Sequence, residues 1–135
     1  MSIVFIDTSA IYALLDADDI NNKSSGEVWK YLLSSAETLL MTNYILIEVS
    51  ALVQRRLGFD ALHVLYKDIF PIIKVEWINE DDHKAGVAAF LSAHRKKLSL
   101  VDCTSFHIMR RLDIDTAFVF DRDFEDQGFK VLPNK

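Results

Sequence analysis

Five carboxylates occupy positions where an acid is costly unless it does chemistry. Asp7 follows directly on the apolar run 3–6 (Ile-Val-Phe-Ile), Asp121 follows the run 117–120 (Ala-Phe-Val-Phe), and Asp123 comes two residues later. Asp102 lies in Leu-Ser-Leu-Val-Asp-Cys-Thr-Ser-Phe (98–106), at the opening of a helical pattern, and Glu48 lies within a second such pattern after Asn43. On that helix the neighbours of Glu48 at three and four residues are Tyr44, Ile45, Ala51 and Leu52, so it is expected on their inward-facing stripe. An unpaired carboxylate there pays a desolvation penalty or is forced neutral. No basic residue follows until Arg55 and Arg56, one turn beyond. A divalent cation resolves the conflict. Carboxylates with hydroxyls, and no histidine or thiolate beside them, favour Mg2+ or Mn2+ over Zn2+. Two such ions about 3.5–4 Å apart can clamp the attacking and leaving oxygens of an in-line phosphodiester displacement.

These acids need elements that bring them together. Short apolar runs at 3–6, 38–42, 72–78, 116–120 and 129–132 read as strands, the last at a sheet edge. Helical patterns alternate with them. One begins at Ser9. A second has a capping-box signature at Ser24 and Glu27 and runs through Ser34, with Val28, Tyr31 and Leu32 on its apolar face. A third is capped by Asn43 and stopped by Gly58. A fourth carries Leu62, Leu65, Tyr66 and Ile69 and ends at Pro71. The fifth runs from Asn79 and Asp82 to about Lys97, and the sixth from about Val101 to Leu112. This alternation predicts an α/β domain with a mostly parallel central sheet. Ligands of such sheets gather beyond the carboxyl ends of the strands, where the following helices also begin. Asp7, Glu48, Asp102 and Asp121 are therefore expected on one rim.

The chain has 135 residues, enough for a single domain spanning 1–135 with its own core. Half of it is apolar, 26% is charged and the net charge is −5, which excludes a strongly basic nucleic-acid coat protein. One cysteine, Cys103, precludes an internal disulfide, and the N-terminus has no signal-peptide pattern. No run approaches the roughly 20 apolar residues of a membrane span. A cytoplasmic location is expected.

Each acid also has a local explanation. Asp7 could cap the next helix, Asp102 could form only a capping box with Ser99, and Asp121 and Asp123 could be turn residues. Cys103 and His107 share a helix face, but two ligands do not make a closed zinc site. The basic clusters Arg55-Arg56, Arg95-Lys96-Lys97 and Arg110-Arg111 read as partners of helix C-termini on solvated faces, with the alternative that some of them grip phosphates. Arg122, between two of the acids, is the best candidate to bind a substrate strand.

Taken as an ordered set, Ile-Asp7-Thr-Ser-Ala, Thr-Asn-Tyr-Ile-Leu-Ile-Glu48-Val, Leu-Ser-Leu-Val-Asp102-Cys-Thr-Ser-Phe and Val-Phe-Asp121-Arg-Asp-Phe resemble the four acidic motifs of PIN domains, most closely the VapC-type toxin ribonucleases. The resemblance covers essentially the whole chain. It implies a three-layer α/β/α sandwich and a Mg2+- or Mn2+-dependent endoribonuclease acting on single-stranded or structured RNA. It further implies a homodimer and, for toxin members, a small antitoxin protein. By position, Asp7, Glu48, Asp102 and Asp121 would be the metal-binding acids, Ser9 the supporting hydroxyl, and Asp123 an additional or alternative ligand.

Rival readings fit less well. A receiver-type signalling domain would carry paired acids after its first strand and a lysine after its fifth. An Asp-x-Asp phosphatase would place that motif after its first strand, whereas only twelve residues follow Asp123. A non-cleaving PIN-like module that binds RNA or protein remains the alternative.

Overall fold

A computed structural model of the chain describes residues 2–94 and 97–134. Arg95 and Lys96, part of one basic cluster, lie outside the described residues. The run at 3–6 forms β1 (Ile3–Ile6), whose Phe5 and Ile6 are fully buried, as expected of a strand covered on both faces. β2 (Thr38–Thr42) pairs with one side of β1 and β4 (Thr116–Phe118) with the other, and β3 (Lys74–Glu76) and β5 (Lys130–Leu132) form the edges. The order is β3-β2-β1-β4-β5 and every pairing is parallel. Val4 lies opposite Leu39 on one side and Thr116 on the other. The backbone N–H of Asp7 donates to the Phe118 carbonyl (3.1 Å), carrying the β1–β4 ladder one residue further.

This order reverses direction between β1 and β4. Right-handed crossovers then place α1 (Thr8–Leu15), α2 (Asn22–Ser34), α3 (Asn43–Leu57) and α4 (Phe59–Val64) on one face. The crossover from β3 to β4 runs the other way and puts α5 (Glu80–Ala93) and α6 (Leu100–Arg111) on the opposite face. There Phe106 of α6 meets Phe124 of the short α7 (Asp123–Asp126) edge-on, and Phe124 reaches Phe5 of the sheet. The result is the expected three-layer α/β/α sandwich. Gly86 lets α5 and α6 approach closely: a Cβ there would lie 2.5 Å from Thr104 Oγ1. No described helix is long and apolar enough to cross a membrane.

Several local expectations shift. α2 begins at Asn22, two residues before Ser24, and its N-cap Asn21 makes no side-chain cap, so the capping box at Ser24 and Glu27 does not form. Packing against α1 decides the register instead: buried Ser25 donates to the Ala10 carbonyl (2.8 Å), Trp29 turns inward and Tyr31 stays exposed. Thr42, not Asn43, caps α3, accepting from Ile45 N, while Asn43 Oδ1 accepts from Ile78 N across the loop. Gly58 (φ 90°) ends α3 as expected. After α4 the chain continues as a π-turn (Leu65–Ile69) and a 3-10 turn (Phe70–Ile72) around Pro71. β3 and β4 are shorter than their apolar runs because pairing stops at Glu76 and Phe118, and α5 stops at His94, which is left-handed (φ 51°).

Candidate active site

Asp7 leaves β1 at the switch point and caps α1. Its Oδ2 accepts from Ser9 N (3.0 Å) and Ser9 Oγ (2.7 Å), and Ser9 Oγ accepts in turn from Phe120 N (3.0 Å). One hydroxyl thereby ties the end of β1 to the segment after β4, 111 residues away. Asp7 is almost fully buried. Burial pushes its carboxyl from the ordinary 3.8 up to about 7, against the two bonds from Ser9 and assisted by the charges of Asp102 and Glu48.

Asp102 sits in the first turn of α6. It forms a reciprocal capping box with Ser99: Asp102 N donates to Ser99 Oγ (3.0 Å) and Asp102 Oδ2 accepts from Ser99 N (3.1 Å). Burial raises its carboxyl to about 6, with the charges of Asp121 and Glu48 adding to the rise. Each of these acids does its local job and joins the cluster as well. The cap satisfies helix N–H groups with one carboxylate oxygen, and the helix N-terminus itself favours negative charge.

Glu48 stands differently from the expectation. The buried stripe of α3 is Ile45, Val49 and Val53, while Ala51 is exposed and Tyr44 and Leu52 are half-buried. Glu48 occupies the flank of that stripe, half-buried, where its Oε1 accepts from Thr8 Oγ1 (2.5 Å). Asp121 Oδ1 accepts from Asp123 N (2.9 Å), the turn bond expected of Asp after a strand. Asp102, Asp121 and Asp123 each present a carboxylate oxygen within 4.8 Å of the others.

Asp7, Glu48, Asp102 and Asp121, with Thr8, Ser9 and Ser99, line a single cleft of about 510 Å³. Asp123 joins through its cluster with Asp102 and Asp121 rather than as a wall of that cleft. Arg122 is not part of the wall: it is exposed and borders a neighbouring cavity of about 220 Å³ that shares Asp121. One cleft residue escaped the sequence reading. Thr8 supplies a hydroxyl to Glu48, a pairing between chain segments that no local pattern encodes. Of the basic clusters named from the sequence, Arg55 reaches the cleft wall: it lies seven residues after Glu48, on the same helix face.

The donor set suits a hard dication. Oδ2 of Asp7 and of Asp102, Oε1 of Glu48 and Oδ1 of Asp121 take the protein hydrogen bonds, and the second oxygen of each carboxylate accepts no hydrogen bond from the described residues. Clustered carboxylates with spare oxygens, Asp7 and Asp102 among them raised by burial and neighbouring charge, are what a bound cation would stabilise. The helix-face pair Cys103 and His107 lies apart from this cleft. Burial pushes the Cys103 thiol up, and His107 Nε2 is bonded to Asp82 Oδ1 (2.8 Å).

Comparison with known proteins identifies the fold. The chain is 29% identical over 127 residues to the 23S rRNA-specific endonuclease VapC20 of Mycobacterium tuberculosis, covering 93% of this chain and 95% of that protein. The crystal structure of M. tuberculosis VapC20, described as a Sarcin-Ricin loop cleaving toxin, superposes with a TM-score of 0.83 at 30% identity, over 95% of this chain and 96% of that one. FitAcB from Neisseria gonorrhoeae shares the fold at a TM-score of 0.69 and 15% identity, over 95% of each chain. VapBC2 from Rickettsia felis, solved with a DNA fragment from its promoter, shares it at 0.69 and 13%, over 96% of each. The PIN domain profile matches residues 4–130. With its parallel sheet and its acids gathered at the β1–β4 switch point, the chain belongs to the PIN-domain family.

Proposed function

We propose that this chain is a Mg2+- or Mn2+-dependent endoribonuclease that hydrolyses RNA phosphodiester bonds and serves as the toxin of a toxin–antitoxin pair. The observation that carries the reading is the convergence of Asp7, Glu48, Asp102 and Asp121 on one cleft, each with an oxygen that accepts from no donor among the described residues. In this reading those four acids hold the metal, and Asp123 adds a ligand beside Asp102 and Asp121. When bound, the dication supplies Lewis acidity for the displacement at phosphorus. The protein's own part is positional. Ser9 holds Asp7 in one rotamer and clamps it to the segment after β4; Thr8 orients Glu48; Ser99 fixes Asp102 to the start of α6. Arg122, beyond Asp121, binds the RNA strand as it leaves the cleft.

The likeness to VapC20 supports a structured ribosomal RNA loop as the first substrate to try. An antitoxin partner is supported by the likeness to VapBC2, and a homodimer and a cytoplasmic location belong to the same reading. The test is Mn2+-dependent cleavage of a ribosomal RNA hairpin, abolished in Asp7→Asn and Asp102→Asn proteins that remain folded by circular dichroism. Full activity in either variant refutes the assignment. Hairpin binding without cleavage by the wild type would favour the non-cleaving module.

A further inference from the structure

Among the described residues, most arginines are engaged. Arg56 lies over the Tyr12 ring (5.6 Å to its centroid). Arg110 bonds Gln127 and covers Phe129, and Arg111 pairs with Asp82 and Glu76. Arg55 is different. It borders the acidic cleft, yet it forms no ion pair or hydrogen bond with any described residue, although Asp7, Glu48, Asp102 and Asp121 line the same space. Along α3, Glu48, Leu52 and Arg55 follow the i, i+4, i+7 spacing of one helix face, and all three line the cleft. Seven residues of helix set Arg55 about 10 Å along the axis from Glu48, beyond ion-pair reach.

Resting on the nuclease reading above, we propose that Arg55 is the phosphate clamp of the cleft: its guanidinium grips an RNA backbone phosphate beside the one that is cut. The charge balance calls for such a group. Two dications would offset the four lining carboxylates and leave the incoming phosphodiester uncompensated, and Arg55 is the one cation among the described lining residues. The planar fork of arginine suits two phosphate oxygens at once, which a lysine does not match. Unequal engagement of the adjacent pair also explains why only one of them serves: Arg56 faces Tyr12 and Arg55 faces the cleft.

The test measures binding apart from cleavage. Anisotropy of a fluorescein-labelled oligouridylate, with Ca2+ as the ion, gives Kd over a salt series; Mn2+-dependent cleavage of the ribosomal hairpin gives KM and kcat. Arg55→Ala should raise Kd and KM about tenfold, the loss expected of one charged hydrogen-bonded contact, with kcat changed less than about twofold. The slope of log Kd against log salt should fall by about 0.7, one phosphate contact on a single strand. Arg55→Lys should recover the salt slope and only part of the affinity. Arg56→Ala should leave the slope unchanged. Unchanged Kd and slope in Arg55→Ala overturn the clamp while wild-type cleavage leaves the nuclease reading standing. A wild type that binds but never cleaves sinks the nuclease reading, and Arg55 is then judged by binding alone. A wild type that does not bind overturns the clamp.

Discussion

Removing the charge of Asp7 should stabilise the metal-free protein while destroying its activity. The carboxyl is buried and raised from 3.8 to about 7, so the folded state holds a proton that the unfolded chain releases at lower pH. Stability from this group is therefore complete below about pH 4, falls as pH rises through 7, and is lost above it. A rise of about three units corresponds to a penalty on the order of 4 kcal/mol at about pH 8. Asp7→Asn removes that penalty and keeps the helix cap, because asparagine is an equivalent N-cap acceptor for Ser9 N. Urea unfolding in EDTA should show the variant more stable than wild type by a few kcal/mol at about pH 8, and equal to it near pH 4. Saturating Mn2+ should reverse the order, since only the wild type gains full metal-binding energy. A variant no more stable than wild type at pH 8 without metal would refute the view that Asp7 is held in the fold at an electrostatic cost.

Three further outcomes follow from named contacts. Asp121→Asn should reduce cleavage more than Asp123→Asn, because Asp121 lines the cleft and its charge acts on Asp102; equal losses in initial-rate assays would give the two acids equal weight. Gly86→Ala should cost about 1–3 kcal/mol in urea unfolding, since its Cβ would meet both the side chain and the backbone of Thr104 and push α5 from α6. Asp82→Ala should cost about 2 kcal/mol by stranding His107 and half-exposed Arg111, with metal-dependent cleavage otherwise retained in the folded fraction.

Much of this protein is written in stretches of a few residues. Apolar runs of four or five predict β1 and β2, Gly58 predicts the end of α3, and Ser99 with Asp102 predicts the start of α6, because an apolar run, a helix stop and a capping box are each defined by residues adjacent in sequence. The acids after β1 and β4 were visible for the same reason. Elements whose register depends on packing were not: the start of α2 and the inward turn of Trp29 in place of Tyr31 follow from contact with α1. The candidate site divides along the same line. Residue types and positions marked Asp7, Glu48, Asp102 and Asp121 as acids wanting a cation. Only the strand order, which sets β1 beside β4, joins Ser9 to Phe120 and places Thr8 against Glu48. Sequence favoured Arg122, between two acids, over Arg55, and tertiary structure puts Arg55 in the cleft wall and Arg122 beside it. A local pattern specifies which backbone groups near a residue are satisfied; which distant charges it meets depends on how the layers stack.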